Sequence, residues 1–107
     1  MKEQNFRECL KFIREHSCKD EQFISATYIC NKVFEIKQSY LLKDPNIEIN
    51  LGTISIYFKS EHKTLSFETD SNGNIIISFL DGSTYTSFAF SKEKGEGQIN
   101  KLIKRFL

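Results

Sequence analysis

The chain has no tryptophan, one proline and five glycines in 107 residues. With 27% charged residues, this leaves no low-complexity linker or disordered tail to explain. No apolar run approaches the roughly 18 residues that span a bilayer. The opening, MKEQNFRECLKF, alternates charged and apolar residues. It lacks the basic stretch and following apolar run of about 7–15 residues that mark an export signal. The three cysteines, Cys9, Cys18 and Cys30, lie 9 and 12 residues apart. That is too far for the short fixed spacing of a structural zinc site. Without an export signal, free and mostly packed thiols are expected, and the cytosol is the expected compartment.

No sign of charge dominates either, since the formal net charge is +1. The distribution is uneven. Residues 44–90 hold only Lys59 and Lys63 against Asp44, Glu48, Glu61, Glu68, Asp70 and Asp81, whereas the last stretch is basic through Lys92, Lys94, Lys101, Lys104 and Arg105. A nucleic-acid binder clusters Lys and Arg on one face, so the central block argues against phosphate and only the C-terminus favours it.

What the chain does have is ten phenylalanines and four tyrosines. Its length suits one domain, residues 1–107, burying about 65% of the unfolded surface. Residues 2–17 place Phe6, Cys9, Leu10 and Ile13 at i, i+3, i+4 and i+7, which predicts a helix. A second is predicted over about 21–39, capped by Asp20, with a stripe of Phe23, Thr27, Cys30 and Phe34 flanked by Ile24, Tyr28 and Val33. The Asp44-Pro45-Asn46 cluster ends this half.

The hydrophobic period then changes from 3.6 to 2. Ile47, Ile49 and Leu51 alternate on odd positions, and Ile54, Ile56 and Phe58 on even ones, so a bulge or turn belongs at Gly52-Thr53. Three more strands are expected, about 64–69, 74–80 and 84–90. Register follows from keeping one face apolar. A three-residue loop Ser71-Asn72-Gly73, with Gly73 left-handed, pairs Phe67 with Ile77 and Leu65 with Phe79. A loop at Glu61-His62 pairs Phe58 with Leu65 and Ile56 with Phe67. A two-residue turn at Asp81-Gly82 pairs Phe79 with Thr84 and Ile77 with Thr86. Ile99, Leu102, Ile103 and Phe106 mark a short C-terminal helix over 98–107, after a loop from Ser91 to Gly97. The fold class is therefore α+β: N-terminal helices and a short C-terminal helix on one face of an antiparallel four- to five-stranded meander.

No catalytic motif stands out, and no cofactor or metal is expected. Gly95-Glu96-Gly97 lacks the Lys-Ser/Thr of a phosphate loop. His16 closes a helix, where a cation suits the dipole, and His62 sits at a hairpin tip. Residues two apart on a helix do not face each other, which argues against a His16–Cys18 dyad. The register turns Thr53, Ser55, Tyr57, Lys59, Ser66 and Glu68 outward, with Ser78, Leu80, Tyr85 and Ser87 beyond them. Tyrosine and serine are the palette of adaptable recognition surfaces and also of solvated strands. The candidate partner-binding residues are Tyr57 and Tyr85 with Glu68, Asp70 and Asp81 around them.

A small Lys-, Asn-, Ile- and Phe-rich chain with a helix–meander–helix layout and no catalytic residues resembles a bacterial immunity protein of the contact-dependent growth inhibition type. The resemblance covers the chain in size and layout and rests on no motif. It implies a cytoplasmic, non-enzymatic protein that occludes the active site of a cognate protein toxin, often a nuclease domain. The acidic 44–90 block suits such a partner, and the overall +1 departs from it. The alternative is a nucleic-acid-associated or regulatory domain working through Lys101, Lys104 and Arg105. A small cysteine-dependent enzyme ranks third.

Overall fold

Helix α1 (Phe6–His16) starts where Asn5 and Glu8 close a capping box, Glu8 N–H donating to Asn5 Oδ1 at 2.9 Å and Asn5 N–H to Glu8 Oε1 at 3.0 Å. This computed structural model describes residues 3–91 and 95–107. The expected start at residue 2 lies outside them, and residues 3–5 are not helical, because the box stops the helix at Asn5. Helix α2 (Asp20–Tyr40) has Lys19 rather than Asp20 at its cap position, without a side-chain bond there. Asp20 instead joins Glu21 in the first turn, where both favour the positive end of the dipole.

Five strands follow as one antiparallel meander in chain order: β1 (Asn46–Asn50), β2 (Thr53–Ser60), β3 (Lys63–Thr69), β4 (Ile75–Asp81) and β5 (Thr84–Ala89). Helix α3 (Glu96–Phe106) completes the chain, beginning two residues before its sequence-based start. The expected loop before it falls partly outside the described residues. Helix α2 packs on β2 and β3, α3 on β3 and β4, and α1 on α2 and β1. All three cover one face, which agrees with the expected fold class.

The register of the central strands matches expectation: Ile56 pairs with Phe67, Phe58 with Leu65, Phe67 with Ile77 and Leu65 with Phe79. Asp70 N–H donates to Asn74 O, which encloses Ser71, Asn72 and a left-handed Gly73 (φ 84°) as the three-residue loop. The break at Gly52 is a two-residue turn of Leu51 (φ 53°) and Gly52 (φ 81°), both left-handed. Leu51 therefore sits at a tip, 99% exposed, and not on the core stripe.

Two expectations are corrected. At the last hairpin the turn is Gly82-Ser83, flanked by the pair Asp81–Thr84, so Phe79 faces Thr86 and Ile77 faces Phe88. The strand has moved by two residues, which returns every side chain to the same face. Burial cannot choose between the two registers. Turn chemistry does: Gly82 takes φ 61° as the first loop residue, and its N–H donates to His62 O at 2.8 Å. In α2 the buried stripe is Gln22, Ala26, Ile29, Cys30, Val33 and Ile36, while Phe23 and Ile24 are exposed. The helix is turned about one residue from expectation, small Ala26 and hydrogen-bonded Gln22 facing inward.

The core joins Ile54, Ile56, Leu65, Phe67, Ile77 and Phe79 of the sheet to the helices. The α3 stripe of Ile99, Leu102, Ile103 and Phe106 is buried as expected. Cys9 and Cys30 are both fully buried and Cys18 is exposed. A hydrogen bond with Cys30, and then burial, holds the Cys9 thiol well above its ordinary range. A thiol reagent should modify Cys18 quickly in native protein and Cys9 and Cys30 at least about 100-fold more slowly, because the latter two must wait for opening. Rapid labelling of all three, or a mass loss matching a disulfide, would contradict this packing.

Candidate binding face of the sheet

The far side of the sheet carries the alternate residues of every strand, and no described helix packs on it. Cross-strand pairing arranges them in rows: Glu48–Ser55–Glu68–Ile76–Ala89, then Asn46–Tyr57–Ser66–Ser78–Ser87, then Lys59–Thr64–Leu80–Tyr85. The middle of this surface sinks into a concavity of about 300 Å³. Its floor is hydroxyl-rich. Ser66 and Ser78 are only 8% and 5% exposed although they belong to the open side, because the larger side chains of the adjoining rows stand over them. Ser55 and Ser66 hydroxyls meet at 3.1 Å, and Ser66 donates to Glu68 Oε1 at 3.4 Å. Tyr57, Leu80 and Tyr85 line the hollow with Glu48, Glu68 and Lys59.

The two tyrosines differ. Tyr57 is half-buried on a central strand. Burial raises its phenol above the ordinary range, and the charge and hydrogen bond of Glu48 add to this. It is therefore a neutral, oriented group at any physiological pH. Tyr85 stands on the edge strand, 64% exposed, its ring free to take a partner.

Of the five expected contact residues, the structure brings Tyr57, Glu68 and Tyr85 together around this hollow. Asp70 and Asp81 are not part of it. Asp81 ends β4, whereas Asp70 sits in the β3–β4 loop at the far end of that hairpin, about 20 Å away at the usual rise per residue. The Asp70 carboxylate is engaged within its own loop: it accepts from Asn72 N–H at 2.9 Å, Asn74 N–H at 3.0 Å and Asn74 Nδ2 at 3.0 Å. The Asn74 side-chain bond is the main reason its carboxyl lies below the ordinary range. Glu48 is the residue that sequence reasoning missed. The signal was the alternation of Asn46, Glu48 and Asn50 against Ile47 and Ile49, which puts Glu48 on the outer face once β1 pairs with β2.

A larger hollow, about 700 Å³, lies elsewhere, between the start of α1 and the second half of α2. Its Lys37 and Asp44 already pair with each other at 3.1 Å. His16 stacks on Phe12 at 4.2 Å, and Arg105 lies 4.8 Å over the buried Phe79 ring, so two of the charged candidates of the sequence are held in packing contacts. Among the described residues no three of His, Cys, Asp and Glu converge as metal ligands would, and no helix is long and apolar enough to cross a membrane. Comparison with protein-family models, with curated proteins and with solved structures gave no match to this chain. The fold is thus defined as an α+β meander by its own topology, and the candidate site by its own chemistry.

Proposed function

We propose that this chain is a non-enzymatic, cytoplasmic binding protein that docks a cognate protein toxin on the outer face of its sheet and occludes the toxin's active site, as an immunity protein does. The observation that carries the proposal is the open concave face. A rigid five-stranded platform holds two tyrosines and Leu80 above a serine floor, with Glu48 and Glu68 beside them. Tyrosines offer large contact area at low entropic cost, and serines adapt their hydrogen bonds. The carboxylates suit a basic partner and would speed its approach. Among the described residues that line the hollow, Lys59 is the one cation.

On this basis Tyr57→Ala or Tyr85→Ala should each weaken binding by about 2 kcal/mol, roughly 30-fold in Kd, without loss of fold. The partner to test first is the protein encoded immediately beside this one, titrated calorimetrically against wild type and both variants, with Lys104→Ala alongside. Glu68→Gln should lower the association rate and its salt dependence more than it raises dissociation. If the tyrosine variants bind normally while Lys104→Ala abolishes binding, the basic face of α3 is the contact surface and this proposal is wrong.

A further inference from the structure

The two edges of the sheet are guarded differently. Edge strand β1 carries Glu48 at its centre, and Gln4 N–H donates to Pro45 O where that strand begins. Residues 82–91, which contain β5, have neither a charge nor a proline. Exposed edges ordinarily carry such guards because bare backbone pairs with other chains. The free groups can be named. Phe90 N–H donates to Ile75 O at 2.9 Å, so by alternation Thr84, Thr86 and Phe88 turn their backbone groups toward β4. Those of Tyr85, Ser87 and Ala89 point away, and no backbone hydrogen bond found among the described residues uses them.

We propose that β5 is a homodimerisation edge: two copies of this chain pair β5 with β5, antiparallel, about a two-fold axis at Ser87. The two sheets then join into one of ten strands. This register places Ser87 opposite its counterpart and Tyr85 opposite Ala89 of the second copy, so all the outward backbone groups are satisfied at once. A two-fold contact must be self-complementary, and this strand is: the large Tyr85 meets the small Ala89, and Phe88 meets Thr86.

The outer face adds an independent reason. Ile76 and Leu80 are each 40% exposed and Tyr85 is 64% exposed, a costly amount of apolar surface on a hydroxyl-rich side. Ile76 neighbours Ala89 and Leu80 neighbours Tyr85. Across the seam, Leu80, Tyr85, Ala89 of the second copy and its Ile76 form one continuous apolar row, repeated by symmetry. On the inner side Phe88 and Phe90 are only half-buried, because the helices pack on β2, β3 and β4, and the second copy's edge would cover them. The seam does not depend on the toxin-docking proposal, since it needs no partner; it shares Tyr85 with that face and leaves Tyr57 and Glu68 open on both copies.

The test is sedimentation equilibrium of the full chain alone, with Ser87→Lys and Ser87→Glu. Ser87 is exposed and its backbone makes no ladder bond to β4, so neither change disturbs the fold, which circular dichroism checks. Wild type should sediment at twice the 12.5 kDa chain mass. Each charged variant alone should lose the dimer, because like charges oppose each other on the axis. An equimolar mixture of the two should recover it as a heterodimer. A monomeric wild type at every concentration overturns the proposal. So does a dimer that persists in both variants, or a mixture that stays monomeric.

Discussion

Replacing Gln22 by leucine should destabilise the fold by about 3 kcal/mol although the volume hardly changes. The Gln22 amide is completely buried. Its oxygen accepts from Cys18 N–H at 2.7 Å, and its nitrogen donates to Gly52 O at 2.7 Å and Thr69 O at 3.1 Å. One side chain thus joins the α1–α2 connection to the β1–β2 turn and the end of β3. Leucine leaves these backbone groups without that partner, and each buried orphan costs about 1–3 kcal/mol. Urea unfolding followed by circular dichroism measures the loss as a lower midpoint at constant slope. A change within about 0.5 kcal/mol, the usual scale of a surface substitution, would mean that water replaces the amide. Gln22→Glu adds a pH signature. A carboxylate there faces two carbonyl oxygens, so the variant's group should be held protonated, with its pKa raised above the unfolded value. Its relative stability is then greatest below the unfolded pKa and is lost as pH rises through the folded one.

Gly73→Ala should cost about 3 kcal/mol, against about 1 kcal/mol for Gly82→Ala. Both glycines are left-handed, at φ 84° and 61°, so both alanines carry the same backbone strain. They differ in what a Cβ meets. At Gly82 nothing lies within 4 Å, whereas at Gly73 the Cβ would stand 2.7 Å from Glu21 O and 3.0 Å from Glu21 C. Those are backbone atoms of the first turn of α2, which cannot step aside as a flexible side chain would. Relief means lifting the β3–β4 loop off the helix. That weakens the Ser25 hydroxyl bond to Gly73 O at 2.7 Å and the Lys19–Asn72 contact at 3.2 Å. Paired thermal denaturations of the two variants decide it. Equal losses would show that the loop yields freely and that its docking on α2 adds little.

How far the sequence could be read depended on whether local pattern or distant contact set each feature. The register of β2, β3 and β4 was legible because a slip of one residue would turn Phe67 or Ile77 into solvent. The loop at Gly73 was legible because only an odd loop length kept those two residues on one face. The β4–β5 register was not, since a slip of two hides from the same test. Its arbiter is a hydrogen bond from Gly82 to His62, twenty residues earlier in the chain. The stripe of α2 was misplaced by about one residue because Phe23 outweighs Gln22 on any apolar scale. Gln22 becomes a core residue only when Gly52 and Thr69 arrive to accept its hydrogen bonds.

The candidate face divides the same way. Alternation alone put Tyr57, Glu68 and Tyr85 on one side of the sheet. That Ser66 and Ser78 lie almost hidden beneath them, that Asp70 is consumed by its own loop, and that Glu48 joins Tyr57 depended on pairing and packing. By itself the sequence determined the type and order of the elements, the apolar face of the central strands and the left-handed glycine at 73, because period and parity are properties of neighbouring residues; whether Gly52 bulged one strand or divided two was left to the structure. Only the tertiary structure decided which arc of α2 faces inward and where the sheet becomes concave. Each of those depends on atoms that pairing and packing bring together from separate elements.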